Sequence, residues 1–348
     1  DHNQLVVVDT ATGETTTVGD GWDRDPHGWE YVDNDTIVVG AGDGARQRLF
    51  ILPLAGGEPE AIDLDHSAHG PRPAAGRLWF RTESLSSPPD VAELSAGTVG
   101  GFNDDLLAEL SFGRVEDVTF TGADGGTVQM FVIYPPQYDA AQTWPLVHNI
   151  HGGPHGTTGD EWHWRWNSQV FAAPGYVVAA VNFHGSIGWG DDFTQSIRGS
   201  WGDKPTKDIL AATDHLIGGG SIDETAMAIA GGSYGGYLVS WLLGVTDRFA
   251  CAICHAGVTD LLGQWAAADA LLKFHYTPKE RQAWFNVEDM LFAAGLAYST
   301  VRDQVDGRAA DKAQIDAWLS RAARNHFAIA GGSSSCCNNH FYRRSLYA

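Results

Sequence analysis

Cysteine is scarce, with four residues in a chain of 348. That is too few to staple so long a chain into a disulfide framework. Cys251 and Cys254 form a C-x-x-C, but they lie in the apolar "RFACAICHAG", which reads as a buried strand, so packing is expected there rather than redox or metal chemistry. Basic residues are outnumbered, 22 Lys and Arg against 43 Asp and Glu, for a formal net charge of −21. Such a surface repels nucleic-acid phosphates and anionic membranes, and neither is expected as a partner. No run of 18 apolar residues occurs, so no segment reads as a membrane-spanning helix. An initiator Met and a signal-peptide pattern are both missing from the opening "DHNQLVVVDT", and the expectation is a fragment of something longer. Apolar residues are plentiful, 43% with 13 Trp and 15 Phe. The length exceeds the usual size of one core, which favours two domains.

The first hundred residues repeat. Leu5 to Val18, "LVVVDTATGETTTV", aligns without a gap on Leu49 to Ile62, "LFILPLAGGEPEAI", at an offset of 44 residues. Each copy is an apolar strand, a turn at Gly13 or Gly57, and a second strand of alternating character. "GWEYVDNDTIVVGAG" and "GPRPAAGRLWFRTES" add further strand–turn–strand units. Several short strands at this period indicate β-propeller blades. About two are legible, with a degraded third expected around Asp90 to Thr98. A small β-sandwich is the alternative.

From Phe112 the texture changes, and residues 112–348 are expected to form a second domain after a partial propeller over 1–111. "VEDVTFTGADGGTVQMFVIYPP" reads as two strands joined at Asp124 and Gly125. "PLVHNIHGGPHG" and "GYVVAAVNFHGS" are each a buried strand ending in a glycine loop. "DKPTKDILAATDHLI" carries helical spacing at Ile209, Leu210, Thr213, Leu216 and Ile217. The strand "AMAIA", the helix "YLVSWLLG" and the strand "FACAICHAG" follow. Strands alternating with helices define an α/β fold, a doubly wound and mostly parallel sheet.

Between that strand and helix stands Gly231-Gly232-Ser233-Tyr234-Gly235, which fits G-x-S-x-G in the strand–turn–helix context of a nucleophile elbow. The glycines permit a tight turn, the serine takes a strained conformation, and the helix N-terminus favours developing negative charge. An ordinary glycine-rich turn is the competing reading. The N–H of Tyr234 would be one oxyanion donor. A second is expected from the loop "HGGP", His151 to Pro154, with Gly153 as donor, each such donor being worth ~3 kcal/mol. His151 itself is expected to pack or orient the loop. "EWHWRWNSQVF" sets Trp162, Trp164 and Trp166 in alternation, which suggests one packed face and one face lining a cleft, with plain core packing as the competing and favoured reading.

These stretches resemble the prolyl oligopeptidase family of serine peptidases, in its acylaminoacyl-peptidase and dipeptidyl-peptidase branch. "IHGGPHG" (150–156), "VNFHGSIGWGDDF" (181–193), "WGDKPTKDILAATDHLI" (201–217) and "GGSYGGYLVSWLLGVTDRFACAICHAGVTDL" (231–261) carry the match. The resemblance implies a seven-bladed propeller before an α/β-hydrolase domain, a Ser–His–Asp triad, short peptides as substrates, and no metal or organic cofactor. His184 stands where many relatives carry arginine and is expected to shape the rim of the site. The family's H-G-x-x-D-x-x-V-P pattern is not present in clean form. Its nearest counterpart, "QVDGRAADKAQIDAW", makes Asp311 the candidate acid, 78 residues after Ser233, with Asp316 second. His340 in "CCNNHFYRRS" is the candidate base, and His326 the alternative. "RAADKAQIDAWLSRAARNH" reads as an amphipathic helix, while altered sequence after about Lys273 is the rival explanation of the departure.

The resulting reading is a serine peptidase acting through an acyl-enzyme on Ser233. A carboxylesterase on the same triad and an inactive relative acting as an interaction module remain open, as does the oligomeric state.

Overall fold

The computed structural model describes residues 3–258, 298, 302 and 309–329. The chain divides into two compact units, Asp1–Val258 and Thr259–Ala348. No helix among the described residues is long and apolar enough to cross a membrane.

The first unit opens with a hairpin of β1 (Leu5–Val8) and β2 (Thr15–Val18). A four-stranded antiparallel sheet follows, formed in chain order by β3 (Pro26–Tyr31), β4 (Thr36–Asp43), β5 (Arg46–Pro53) and β6 (Glu60–Ala61). A second comprises β7 (Ser67–Ala74), β8 (Arg77–Ser84), β9 (Ser87–Glu93) and β10 (Gly97–Thr98). The 44-residue repeat lays β1 over β5 and β2 over β6, so the hairpin corresponds to the last two strands of a blade. The region around Asp90 to Thr98 is therefore not a degraded extra blade. It supplies β9 and β10 of the second complete sheet.

Period-two alternation decides how these sheets pack. Ile37, Val39 and Ala41 of β4 join Phe50, Leu52 and Val18 in a buried cluster with Leu5 and Val7 of the hairpin. Val38 and Leu49 point the other way and pack with Ala68, Phe80 and Ala92 of the next sheet. Each blade is thus glued to its neighbour by alternate residues of the same strands, at roughly 1.5–3 kcal/mol for each large side chain fully buried.

The remainder of this unit is a six-stranded sheet in the order β11-β12-β14-β13-β15-β16. The antiparallel pair β11 (Val115–Thr121) and β12 (Thr127–Ile133) turns at Asp124 (φ 54) and Gly125 (φ 79), as the Asp-Gly dipeptide requires. β12 pairs antiparallel with β14 (Val177–Asn182), and β14, β13 (Trp144–Ile150), β15 (Ile222–Gly232) and β16 (Cys251–His255) are parallel. Met130, Val132, Val177, Ala179 and Val181 face a core shared with α4 (Asp203–Gly218) and α5 (Tyr234–Val245). Phe131, Ile133, Val178 and Ala180 face a second core with Ala172 of α2 (Ser168–Ala172). Two short helices, α1 (Asp104–Leu107) and α3 (Asp191–Gln195), lie in the connections. With helices on both faces, this is the α/β-hydrolase arrangement following propeller blades.

β16 departs from the sequence reading. Cys251, Cys254 and His255 are exposed, and both cysteines are free thiols. An apolar run reads the same at the edge of a sheet as in its centre, and here β16 ends the described sheet.

In the second unit, α6 (Ala309–Ile329) realises the expected amphipathic helix. Ile315, Trp318 and Ala322 are buried along one stripe.

Candidate active site

The parallel strands end in register. Ile150 of β13 pairs with Gly231 of β15, and Gly232 pairs with His255 of β16. Ser233 follows at φ 58, ψ −119 as the N-cap of α5. A non-glycine residue at such angles costs about 1–3 kcal/mol and persists only where the surroundings enforce it. Here the Ser233 N–H donates to the His255 carbonyl at 2.9 Å, and the Ser233 carbonyl accepts the Tyr237 N–H at 3.0 Å.

The glycines around Ser233 are explained by close approach. A Cβ on Gly235 would overlap the Ile150 carbonyl, and one on Gly231 would meet the backbone of Gly235. One on Gly236 would stand 2.8 Å from the His255 carbonyl oxygen. The turn is packed backbone to backbone against the ends of both neighbouring strands.

The loop after β13 comes to the same place. A Cβ on Gly152 would lie 3.1 Å from the Gly232 oxygen and 3.4 Å from the Ser233 Cβ, and Gly153 takes φ 132 beside it. The His151 ring stacks on Phe183 with 4.2 Å between centroids, and its Nδ1 and Nε2 lie 2.8 Å from the Gly152 carbonyl and 2.9 Å from Ser186 Oγ. Burial lowers its pKa to about 4, so the ring is neutral at pH 7. A neutral ring donates from Nδ1 to Gly152 and accepts the Ser186 hydroxyl at Nε2. His151 therefore orients the loop, as its sequence context implied.

Tyr234 is fully buried, and its hydroxyl donates to the Trp201 carbonyl at 2.6 Å. Burial raises its pKa, helped by the nearby Tyr237 and Asp208, and leaves its N–H at the helix start as the group available for chemistry. His184 is buried and stacks on Phe193; its N–H and Nδ1 both lie 2.7 Å from Asp208 Oδ2, and Asp208 Oδ1 accepts the Ala123 N–H at 2.7 Å. It ties the 122–126 turn, the 183–186 loop and α4 together, a structural role.

The tryptophan run is a loop rather than an alternating strand. Trp164 is exposed, Trp162 meets Phe112 edge-on, and Trp166 stacks on Phe171 with its ring 3.3 Å from where a Gly232 Cβ would stand. His255, which sequence reasoning passed over, lies edge-on to Trp166. Its only sequence signal is its position at the end of the strand following the elbow. A cavity of about 500 Å³ opens between blade residues such as Arg24, His27 and Gln47 and the loop residues His155, Thr157 and Ile187.

The structure thus brings Ser233, Tyr234 and the Gly152–Gly153 loop together. Asp311 lies in the first turn of α6, in the second unit, and Asp316 of the same helix pairs with Arg302 at 2.7 Å. His340 lies outside the described residues, and His326 is described only as part of the α6 backbone. Among the described residues no cluster of His, Cys, Asp and Glu has the geometry to hold a metal.

A strained serine at a strand–helix turn, above the carboxyl ends of a parallel sheet and flanked by a glycine loop, defines the α/β-hydrolase fold with the backbone form of a nucleophile elbow. Residues 162–305 match the model of the prolyl oligopeptidase family, and the chain belongs to that family. It is 30% identical over 283 residues to dipeptidyl-peptidase 5 of Schizosaccharomyces pombe, covering 78% of this chain and 41% of that protein. Against dipeptidyl-peptidase 5 of Porphyromonas gingivalis it is 29% identical over 279 residues, with 78% and 41% covered. Among solved structures, the acylaminoacyl peptidase of Pyrococcus horikoshii superposes with a TM-score of 0.66 at 23% identity, over 76% of this chain and 42% of that one. A puromycin hydrolase superposes with a TM-score of 0.60 at 26% identity, over 76% and 42%. The chain spans about two-fifths of the length of the curated relatives it matches.

Proposed function

We propose that the chain is the catalytic part of a serine-type peptidase that removes short units from the N-terminal end of small peptides. The observation that carries this reading is Ser233, held at φ 58 between β15 and α5 with Gly152 against it. The names of its relatives, dipeptidyl-peptidase 5 and acylaminoacyl peptidase, support peptides over simple esters as substrates. Residues 1–111 act as propeller blades that restrict entry to short chains, and residues 112–348 carry the chemistry.

In this mechanism Ser233 Oγ attacks the substrate carbonyl while His340 takes its proton and Asp311 orients the imidazole. The oxyanion receives hydrogen bonds from the Tyr234 and Gly153 N–H groups. Collapse of the intermediate expels the amine, which takes the proton from the imidazolium, and water then hydrolyses the acyl-enzyme. The acidic surface keeps nucleic acid from being a partner.

The test is turnover of dipeptidyl anilides with a free amino terminus, beside N-acetylated anilides and a p-nitrophenyl ester. Anilide turnover lost in Ser233→Ala and in His340→Ala, but kept in His326→Ala, is the expected pattern. Ester turnover alone would replace the peptidase with an esterase.

A further inference from the structure

We infer that Asp160 is a positioning residue for Ser233: its buried carboxylate lets the propeller blades hold the loop whose two ends touch the nucleophile turn. The inference rests on the hydrolase reading of that turn.

The loop runs from His151 to Trp166. At its start Gly152 lies against the Gly232 carbonyl and Ser233 Cβ, and at its end the Trp166 ring covers Gly232. Its first half is tied to the hydrolase sheet. Thr158 N–H donates to Asn182 Oδ1 at 2.7 Å, and the Asn182 amide returns a bond to the Thr158 carbonyl at 3.0 Å.

From Asp160 to Trp162 the bonds go to the blades, and the Arg165 and Trp166 N–H groups then close on His163 Nδ1 within the loop. Asp160 is 4% exposed. Its Oδ1 accepts the Leu85 N–H at 3.0 Å, in the β8–β9 turn. Its Oδ2 accepts His66 Nδ1–H at 2.9 Å and lies 3.6 Å from Arg46 Nε. Its own N–H donates to the Ala45 carbonyl at 2.7 Å. Two residues later the Trp162 N–H donates to Glu83 Oε2 at 3.1 Å.

One side chain therefore gathers three separate blade segments, around Arg46, His66 and Leu85. Further charges at this junction are Asp117 on Arg46, Asp65 beside His66, and His69 and Arg81 on Glu83, with Glu161 near His69. A carboxylate this buried is costly unless its partners stay in place. The loop's course past Ser233 is thereby set by the blades as well as by the hydrolase sheet. Misplacement of such a loop by about 1 Å costs up to ~100-fold in rate without changing any reacting group.

The experiment is saturation kinetics of covalent labelling by a fluorophosphonate probe, with amide exchange of residues 151–166, on the full chain. Thermal midpoints establish that each variant is folded. Asp160→Ala is expected to lower the limiting labelling rate ~tenfold or more with little change in half-saturating probe concentration, and to speed exchange at Thr158 and Trp162. Asp160→Asn, whose amide oxygen still accepts the Leu85 N–H, is expected to restore most of the rate. Should Asp160→Ala not fold, His66→Ala removes one donor from the same carboxylate and is expected to shift rate and exchange in the same direction. A folded Asp160→Ala, or His66→Ala in its place, that labels like wild type overturns the inference. If the wild-type chain itself fails to label, the hydrolase reading falls. The exchange arm then still decides the inference: unchanged protection at Thr158 and Trp162 overturns it, and lost protection retains the clasp.

Discussion

His148 makes the hydrolase sheet sensitive to acid. It lies in the middle of β13, fully buried, with Nε2 at 2.9 Å from Thr213 Oγ1 and its ring edge-on to Phe249. The Thr213 hydroxyl donates to the Ile209 carbonyl at 2.8 Å, so His148 donates from Nε2, and its Nδ1 has no partner. Burial lowers its pKa to about 3, with Arg248 adding to the effect, and burial lowers that of His151 to about 4. A histidine with a depressed folded-state pKa binds fewer protons folded than unfolded. Its stabilisation is therefore complete above the unfolded value near 6.5 and falls as pH drops toward the folded value. At 1.36 kcal/mol per pH unit, each ring removes about 2 kcal/mol between pH 7 and pH 5, or about 4 kcal/mol together. His163, lowered by burial, falls in the same direction, but it and the other shifted groups are common to wild type and variant and cancel in the comparison. Glu83, whose pKa is lowered because the bonds from His69 and Trp162 outweigh burial, acts only below the ordinary carboxylate range. His66, raised by its hydrogen bond to Asp160, loses its contribution only as pH rises above 6.5. His148→Met fills similar volume without a titrating group, and the Thr213 hydroxyl keeps its bond to Ile209. Urea unfolding followed by tryptophan fluorescence at pH 7, 6 and 5 is the assay. The variant is expected to lose about 2 kcal/mol less than wild type across that range. Equal losses in both proteins would refute the reasoning.

Other substitutions read the site by different means. Ser233→Gly relieves the backbone at φ 58 and is expected to raise the unfolding free energy by about 1 kcal/mol or more while abolishing chemistry, checked by urea midpoints beside probe labelling. Gly235→Ala forces a Cβ into the Ile150 carbonyl and is expected to destabilise by more than ~3 kcal/mol, with loss of labelling in whatever fraction stays folded. Asp208→Ala strands the Ala123 N–H, the His184 N–H and the His184 ring, at about 1–3 kcal/mol for each buried donor, which thermal unfolding would detect as a large fall in midpoint.

The elbow was legible because most of its glycines are required locally: Gly231, Gly235 and Gly236 sit where a neighbouring backbone leaves no room for a side chain, and that requirement is written into a few consecutive residues. The blades were legible where short apolar runs are bounded by glycine turns, as in β4 and β5, and obscured where proline intervenes. Pro88 and Pro89 open β9, yet the β8–β9 ladder shifts register between Thr82 and Ser84, opposite them, so the missing N–H groups are tolerated. Pro71 of β7 sits at a similar shift between His69 and Arg72. Exposure of Cys251 and Cys254 was hidden because an apolar strand carries no mark of what lies beside it. The Asp160 junction was hidden for another reason: it joins residues as far apart as His66 and Asp160, whose meeting depends on how blades and hydrolase sheet pack.

The account stands or falls on whether Ser233 is an activated nucleophile. The purified chain is treated with a fluorophosphonate probe, digested, and the labelled peptide sequenced by mass spectrometry, beside Ser233→Ala. A single adduct on Ser233, absent from the variant, is the expected result. A folded wild-type chain that takes no label, or takes equal label with Ser233 removed, would contradict it.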